Sequence, residues 1–318
     1  MRQIIILIIV ICVLLITAAG CSGPARVEPV NTPDINPKAE AANKDTSAVT
    51  LYFSYRGENF LAGETRTIDI PVSDNMEAAV VRALIEGPSA DKDELVGLFW
   101  DGIKLVGVDS NEDYLFVTLS EAFVSTDPGV IALEDRDVHE QKKLAIYSIV
   151  NTLIEMGKYS RVQIYVDREG GVRQRITLSE AGWTLDSGTW LEPLPRDSSL
   201  ILTPENTLKE SLKSFGKKDW VRLYNFIAYT SPDGTIKPDI DAFSESLAQK
   251  GNVLEDFSVI DSNVSFNGQS AVVMLNYSVK TREGDTIERT NIPVEIIRED
   301  DIWKLLYTSL VGMLINIG

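Results

Sequence analysis

The sequence predicts an α+β fold in two domains, each with helices packed on a β-sheet. The chain has 318 residues, about twice the size of an ordinary domain. Segments with the alternation of strands are interleaved with segments that have the apolar spacing of helices. A stretch with Pro193, Pro195 and paired serines interrupts both patterns at 186–200. We therefore expect a first domain at 48–185, a linker at 186–200 and a second domain at 201–318.

Residues 1–21 have the form of a signal peptide. Arg2 precedes an apolar run from Ile4 to Ile16, which is shorter than the ~18 to 20 residues that span a bilayer. The residues "AAGC" that end it resemble the lipobox of bacterial lipoproteins, although Ala18 stands where those proteins usually have a large aliphatic residue. We expect Cys21 to carry lipid and to hold the protein on the extracytoplasmic face of the cell membrane. The alternative is a conventional cleavage site, with Cys21 as an ordinary residue.

Residues 22–47 are rich in Pro, Asn, Asp and Lys and show no apolar periodicity, so we expect a disordered tether. Strands then follow at "VTLYFSY" and "TRTIDIPV". The apolar spacing of "MEAAVVRALIE" predicts a helix whose N-cap is Ser73, Asp74 or Asn75. Gly87 is expected as a left-handed C-cap, and Pro88 prevents the helix from continuing.

The rest of the first domain is predicted as a hairpin, a long helix and a strand on one mixed sheet with two helices. The hairpin is "IKLVGVDSNEDYLFVTLSEAF", the helix runs from about Glu134 to Met156, and the strand is "RVQIYVD". The following "DREGGVRQR" is predicted as a turn.

The second domain is predicted as helices followed by an antiparallel sheet. Thr203 as N-cap and Pro204 at the first helical position begin the first helix. Two more helices are expected at "DWVRLYNFIAY" and "DIDAFSESLAQKG", before four strands between Val253 and the C-terminus. The apolar tail "LLYTSLVGMLINIG" is expected to be a core strand and packed tail, and the alternative is an exposed patch that docks a partner.

With these residues in place, the first domain resembles the GerMN domain of bacterial envelope lipoproteins, the family that includes GerM-like spore germination proteins. The resemblance covers Val49–Gly182 and rests on "LYFSY", "ALIEGP", "VTLSEAF" and the long helix before "RVQIYVD". The second domain is similar to NTF2-like domains, on "FGKKDWVRLY", "DIWKLLY" and the order of elements. This resemblance implies a cone-shaped fold that either binds a small ligand or is filled with side chains.

The resemblance implies an envelope protein of sporulation, germination or cell-wall assembly, and no catalytic residues come with the family. The expected partners are the bilayer, reached through Cys21, and envelope or sporulation membrane proteins, with peptidoglycan and a second copy of the chain as further candidates. Nucleic acid is not expected, because the net charge is −17 and nucleic-acid affinity depends on Lys and Arg neutralising phosphates.

Neither a catalytic site nor a metal or cofactor site is predicted. His139 is the single histidine and lies among charges, so we expect a solvated helix residue. Asp109, Asn111 and Asp113 imitate a calcium loop, but Tyr114 replaces its required glycine, and a hairpin turn is the better interpretation.

A possible pocket in the second domain would include Trp220, Tyr224, Asp239 and Asp241. The two carboxylates could act as acid and base in a wall hydrolase, but helix capping explains their positions more simply. The aromatic set Trp220, Tyr224 and Tyr229 is more typical of core and rim than of a sugar platform. The main hypothesis is therefore a non-catalytic envelope binding or scaffold lipoprotein. The alternative is a lipoprotein that senses a wall fragment or small molecule in this pocket.

Overall fold

The computed structural model describes residues 45–70, 75–125, 135–168, 171–184 and 188–316. All of them belong to one compact unit, 44–318. The predictions for the signal peptide, for Cys21 and for residues 22–44 lie outside the described residues. The predicted tether is too long at its end, because the first strand already begins at Asp45.

The first half of the protein, residues 45–202, contains seven strands and two α-helices among its described residues. They are β1 (Asp45–Tyr55), β2 (Leu61–Ile70), α1 (Met76–Glu86), β3 (Leu95–Val96), β4 (Leu105–Asn111), β5 (Tyr114–Ser120), α2 (Asp135–Glu155), β6 (Arg161–Arg168) and β7 (Val172–Arg175). The second half, residues 203–316, contains α3 (Pro204–Gly216), α4 (Trp220–Asn225), α5 (Ile240–Lys250), β8 (Val253–Val264), β9 (Ser270–Lys280), β10 (Thr286–Glu299), β11 (Ile302–Leu305) and α6 (Tyr307–Leu310). The α+β fold class is confirmed.

The ends of α1 follow the predicted capping residues with one correction. The Asn75 side chain accepts a hydrogen bond from the Ala78 N–H at 2.7 Å and is the N-cap. Gly87 ends the helix, and its N–H donates to the Leu84 carbonyl. The predicted left-handed conformation is wrong, because Gly87 has φ +97° and ψ −177°. This extended region at positive φ is essentially restricted to glycine, so the need for glycine here is even stricter.

The strands of the first half form two sheets, whereas one mixed sheet was predicted. One sheet has the order β2-β1-β3 and is antiparallel. The other has the order β4-β5-β6-β7, in which β5 and β6 are parallel and the outer pairs are antiparallel. Both helices contact both sheets, so one apolar core serves all of these elements. The predicted turn at "DREGGVRQR" is also corrected, since its residues Val172–Arg175 form β7.

The residues predicted as a linker are packed onto the first half. Val162 and Leu194 exchange two backbone hydrogen bonds of 2.9 and 2.8 Å, and Trp190 forms a bridge with Thr177. Leu191 is only 2% exposed. The segment from Trp190 to Leu194 therefore extends the edge of the β4-β5-β6-β7 sheet.

The second half has the predicted order of helices before a sheet. Its sheet, β11-β10-β9-β8, is antiparallel throughout. Irregularities at Leu254/Asp256, Val259/Asp261 and Arg289/Ile292 interrupt the register, and such bulges bend and twist strands. Helix α3 packs against this sheet through Leu208 and Leu212.

The C-terminal tail differs from its prediction in secondary structure. The last strand ends at Leu305, and the chain continues as α6 and a π-helix, Val311–Ile315. Leu310 and Leu314 are 0% and 1% exposed, so the tail belongs to the core of the second half. The alternative of an exposed docking patch is wrong.

Candidate functional site between the two halves

A cavity of about 530 Å³ lies between the two halves, and we call it the junction cavity. Both halves contribute charged side chains to it. Its lining consists of Arg56, Asp91, Lys92, Asp93, Glu94, Leu95, Tyr224, Ile227, Tyr229, Lys237, Glu299, Asp300, Ile302 and Lys304. The loop that follows Gly87-Pro88 contributes Asp91–Leu95 to the lining of the cavity, so it connects α1 to this junction.

Lys304 is the centre of the contact beneath the cavity. It lies on β11, is 1% exposed, and directs its ammonium group at the first half. The ammonium donates to the Tyr55 hydroxyl at 2.8 Å, to Glu94 at 2.8 Å and to the Asn225 carbonyl at 2.7 Å. All three N–H donors of the lysine are thereby satisfied. Burial lowers the pKa of Lys304, and the neighbouring Glu94 carboxylate opposes that effect.

Tyr55 and Glu94 bring the first half to this lysine. The Tyr55 hydroxyl donates to the Asn225 carbonyl at 2.6 Å, and burial raises the pKa of Tyr55. Glu94 also accepts from the Arg56 guanidinium at 2.6 Å. Burial alone would raise the pKa of Glu94, but Lys304 and Arg56 outweigh it and hold the pKa below its usual range. The result is a network in which every charged member is paired, with Lys304 and Tyr55 buried and Arg56 exposed.

Lys237 lines the same cavity and caps α4. Its ammonium donates to the Tyr224 carbonyl at 3.1 Å and to the Ile227 carbonyl at 2.9 Å, near the C-terminal end of that helix. It also lies 3.9 Å from the centre of the Tyr224 ring. Burial lowers the pKa of Lys237 to about 8, with a smaller contribution from the charge of Lys304.

Further contacts join the halves on either side of the cavity. Arg222 binds the Glu58 carboxylate at 2.6 Å and Glu210 at 2.8 Å. Asp301 accepts from the Thr65 hydroxyl and pairs with Lys92 at 3.3 Å. Apolar packing accompanies these polar contacts, because Phe226 and Ile302 of the second half belong to the core of the first.

The structure brings Tyr224 close to Asp239, because the Tyr224 hydroxyl donates to the adjacent Pro238 carbonyl at 3.1 Å, but the four predicted pocket residues do not share the junction cavity. Tyr224 lines the junction cavity, whereas Trp220 packs edge-on against Phe215 with ring centres 5.5 Å apart. Asp239 is the N-cap of α5 and accepts from the Ala242 N–H at 2.9 Å. Asp241 is an exposed residue in the first turn of the same helix.

The interior of the second half, where a cone-shaped fold would hold a ligand, is filled with side chains. Leu212, Phe243 and Leu275 are among its fully buried members. The large cavity lies at the junction instead.

The site residues Tyr55, Glu94, Lys237 and Lys304 were not predicted from the sequence. Only Lys304 carries a local signal, since it is a lysine inside the apolar strand "DIWKLLY". A lysine at that position is also compatible with a solvated outer face, so the signal does not identify its partner.

The prediction of a solvated His139 is wrong. The side chain is half-buried, and its Nδ1 is buried with no hydrogen-bond partner among the described residues. A Cβ on Gly182 would lie 2.1 Å from the His139 carbonyl oxygen, so the chain requires glycine at this close approach.

Within the described ranges, no group of His, Cys, Asp or Glu side chains could hold a metal ion.

Comparison with known families bears on the first half. Residues 50–170 match the family described as "Germane: Sporulation and spore germination". The first half is GerMN-like. The match begins within β1 and ends after β6, so it includes Tyr55 and Glu94 and leaves out β7 of the second sheet. It links this half to sporulation and spore germination.

Two solved structures are similar to the chain at low identity. The tandem GerMN domains of the sporulation protein GerM from Bacillus subtilis align with 18% identity and a TM-score of 0.32, covering 49% of this chain and 46% of that one. The chain thus spans about half the length of that structure. A candidate lipoprotein from Clostridium perfringens aligns with 18% identity and a TM-score of 0.27, covering 50% of this chain and 92% of that one. No curated protein matches the chain. Among the helices that the structure describes, none is long and apolar enough to cross a membrane.

Proposed function

We propose that this protein is a non-catalytic binding protein of sporulation or spore germination, held on the outer face of the cell membrane by lipid on Cys21. The family match of residues 50–170 carries the proposal. The likeness to NTF2-like domains adds a second domain whose core is packed and which serves as a further binding surface.

The junction supports a scaffold rather than a hinged enzyme. Lys304, Tyr55 and Glu94 form a paired network between the halves, in which Lys304 and Tyr55 are buried and Glu94 is partly exposed. Because separating them would leave a buried charge without a partner, the halves hold a fixed relative orientation. A rigid body of this kind presents surfaces of both halves to one partner at once. The partner class is an envelope or sporulation membrane protein, or a second copy of the chain.

In-cell crosslinking of the tagged full-length protein, followed by mass spectrometry, tests the scaffold function. Growing and sporulating cells are compared under identical conditions. We expect one membrane protein to be crosslinked in stoichiometric amounts in sporulating cells and to be absent from growing cells. The same crosslinks in both states, or none in either, would contradict a sporulation-specific scaffold.

Anchoring is tested by the substitution Cys21→Ala. Membrane fractions of cells that produce the wild type should contain the protein, and those of the variant should lose it to the soluble fraction. The matched control is Cys12→Ala, which lies within the apolar run of the predicted signal peptide and leaves Cys21 in place. If the Cys21→Ala protein stayed in the membrane fraction, the proposal of a lipid anchor on Cys21 would be wrong.

Ligand sensing is the second candidate function, and the junction cavity favours it. The cavity has a volume of about 530 Å³ and includes Tyr224, Tyr229 and Lys237, which offer aromatic surface and a cation. The full chain in detergent would be heated with and without a mixture of soluble wall fragments. A ligand that binds the folded state raises the melting temperature. An unchanged melting temperature at millimolar fragment would rule out sensing of these fragments.

A further inference from the structure

The outer face of the β4-β5-β6-β7 sheet is built differently from its inner face. Leu115, Val117 and Leu119 of β5 point inward and are at most 1% exposed. Because side chains alternate along a strand, Tyr114, Phe116 and Thr118 belong to the opposite face. The strand register places residues of the neighbouring strands on the same outer face.

Aromatic side chains lie on this outer face on two strands and on the bridged segment beside them. Phe116 of β5 and Tyr165 of β6 pack edge-on with ring centres 6.1 Å apart. Trp190 forms a bridge with Thr177 beyond β7 and is 44% exposed, and Tyr114 is 36% exposed. Large aromatic surface that remains this accessible is a feature of binding sites rather than of an ordinary polar face.

Two arginines lie against these rings and are each held by a carboxylate. The Arg173 guanidinium is 5.9 Å from the Tyr165 ring and pairs with Asp109 at 2.7 Å. The Arg175 guanidinium is 6.0 Å from the Trp190 ring and pairs with Glu192 at 3.2 Å. The planar donors therefore lie beside the aromatic surface, and their charges are balanced by the two carboxylates.

We propose that this aromatic-arginine face, defined by Phe116, Tyr165, Arg173, Arg175 and Trp190, binds a glycan strand of the cell wall. The C–H face of a pyranose ring stacks on an aromatic ring, while its hydroxyls need donors and acceptors at the rim. The two arginine-carboxylate pairs supply both beside the rings. This inference rests on the proposed function, which places the protein outside the cell membrane.

The charge of the aromatic-arginine face distinguishes between a glycan strand and a nucleic acid, which also contains rings that stack on aromatic side chains. A nucleic acid would need unpaired cations along the surface, whereas Arg173 and Arg175 are each paired with a carboxylate and the whole chain carries −17. A sugar strand needs no net positive charge. The balanced face fits a polymer that is neutral along its sugar backbone.

Co-sedimentation with insoluble glycan tests the face. The full chain in detergent is mixed with purified wall stripped of protein and teichoic acid, and separately with chitin, a β-linked glycan without peptides. We expect the wild type to sediment with both. Trp190→Ala should lower the bound fraction about fivefold or more, and Trp190→Phe should restore part of it because a ring is retained.

The matched control is Phe266→Ala, which removes an aromatic ring that is fully exposed on the second half. It should sediment like the wild type. Sedimentation with wall but not with chitin would overturn the glycan assignment in favour of the peptide stems. Equal binding by Trp190→Ala and wild type, or a wild type that stays in solution, would also overturn it. The in-cell crosslinking result does not depend on any of these outcomes, so the two proposals fail separately.

Discussion

At the scale of single residues, Lys237 shows how a partly buried position changes the chemistry of a side chain. Its pKa is lowered to about 8, chiefly by burial. In an unfolded chain a lysine has a pKa of about 10.4. Between these values the folded protein loses the proton while the unfolded chain keeps it. Because the unfolded state then binds more protons, the free energy of unfolding from this group rises with pH between about 8 and 10.4.

The substitution Lys237→Arg should remove that rise. Arginine keeps its charge throughout this range and retains donors for the Tyr224 and Ile227 carbonyls. We expect the difference in unfolding free energy between wild type and variant to increase from pH 7.5 to pH 10, in favour of the wild type. Urea unfolding at several pH values measures it. Parallel curves for the two proteins over this range would show that Lys237 titrates normally.

At the scale of elements, the start of α3 depends on one hydroxyl. The Thr203 side chain accepts from the Asn206 N–H at 3.2 Å, and Pro204 follows at the first helical position. Thr203→Ala should destabilise the protein by about 1 kcal/mol, because the N–H loses its partner. Thr203→Ser keeps the hydroxyl and should differ little. Urea midpoints at constant slope give the comparison, and equal losses in the two variants would argue against capping.

A substitution in the buried C-terminal tail should cost more stability than the loss of a helix cap. Leu310 of α6 is 0% exposed, so Leu310→Ala should cost about 2–5 kcal/mol through lost burial and the cavity left behind. Val221→Ala, at a side chain that is 64% exposed, is the control and should change stability by less than about 0.5 kcal/mol. A loss at Leu310 no larger than that of the control would mean that the tail leaves the core in solution.

The structural features that could be predicted from the sequence are those determined by residues close together in the chain. The Thr203 cap and the apolar spacing of α1 and α2 act within one or two turns, and they were predicted correctly, while Asn75 was one of three residues predicted as the cap of α1. The separation of the first half into two sheets depends on which strands pair, and no short pattern records that choice. The packing of the tail was predicted, but its first part, through Leu310, was predicted as strand, because a short apolar run fits both strand and buried helix.

The junction shows the same limit for the candidate site. Glu94 and Lys304 are 210 positions apart in the chain, and each alone has the appearance of a surface charge. Their meeting follows from the packing of the two halves. The aromatic-arginine face was likewise missed, because Tyr165 lies on β6 while Arg173 and Trp190 come from later segments that the sequence predicted as turn and linker.

At the scale of the whole molecule, the two halves are expected to unfold together. Lys304 is shared between them through Tyr55 and Glu94, and the core of the first half includes Phe226 and Ile302 of the second. If either half unfolded, apolar surface of the other half would be exposed and the buried Lys304 ammonium would lose its partners. Calorimetry of the wild type should therefore show one unfolding transition.

Lys304→Met tests that coupling. The variant leaves Glu94 with Arg56 alone and removes a donor from the Tyr55 hydroxyl and the Asn225 carbonyl. Breaking a buried pair costs about 3–5 kcal/mol, and because Glu94 keeps Arg56 and is 26% exposed we expect a loss near the lower end. The single transition should also broaden or split, since the polar tie between the halves is gone. Lys280→Met, at an exposed lysine on β9, is the control and should keep the wild-type transition.

One sharp transition at the wild-type temperature in Lys304→Met would mean that apolar packing alone holds the halves together. The rigid scaffold would then depend on Phe226 and Ile302.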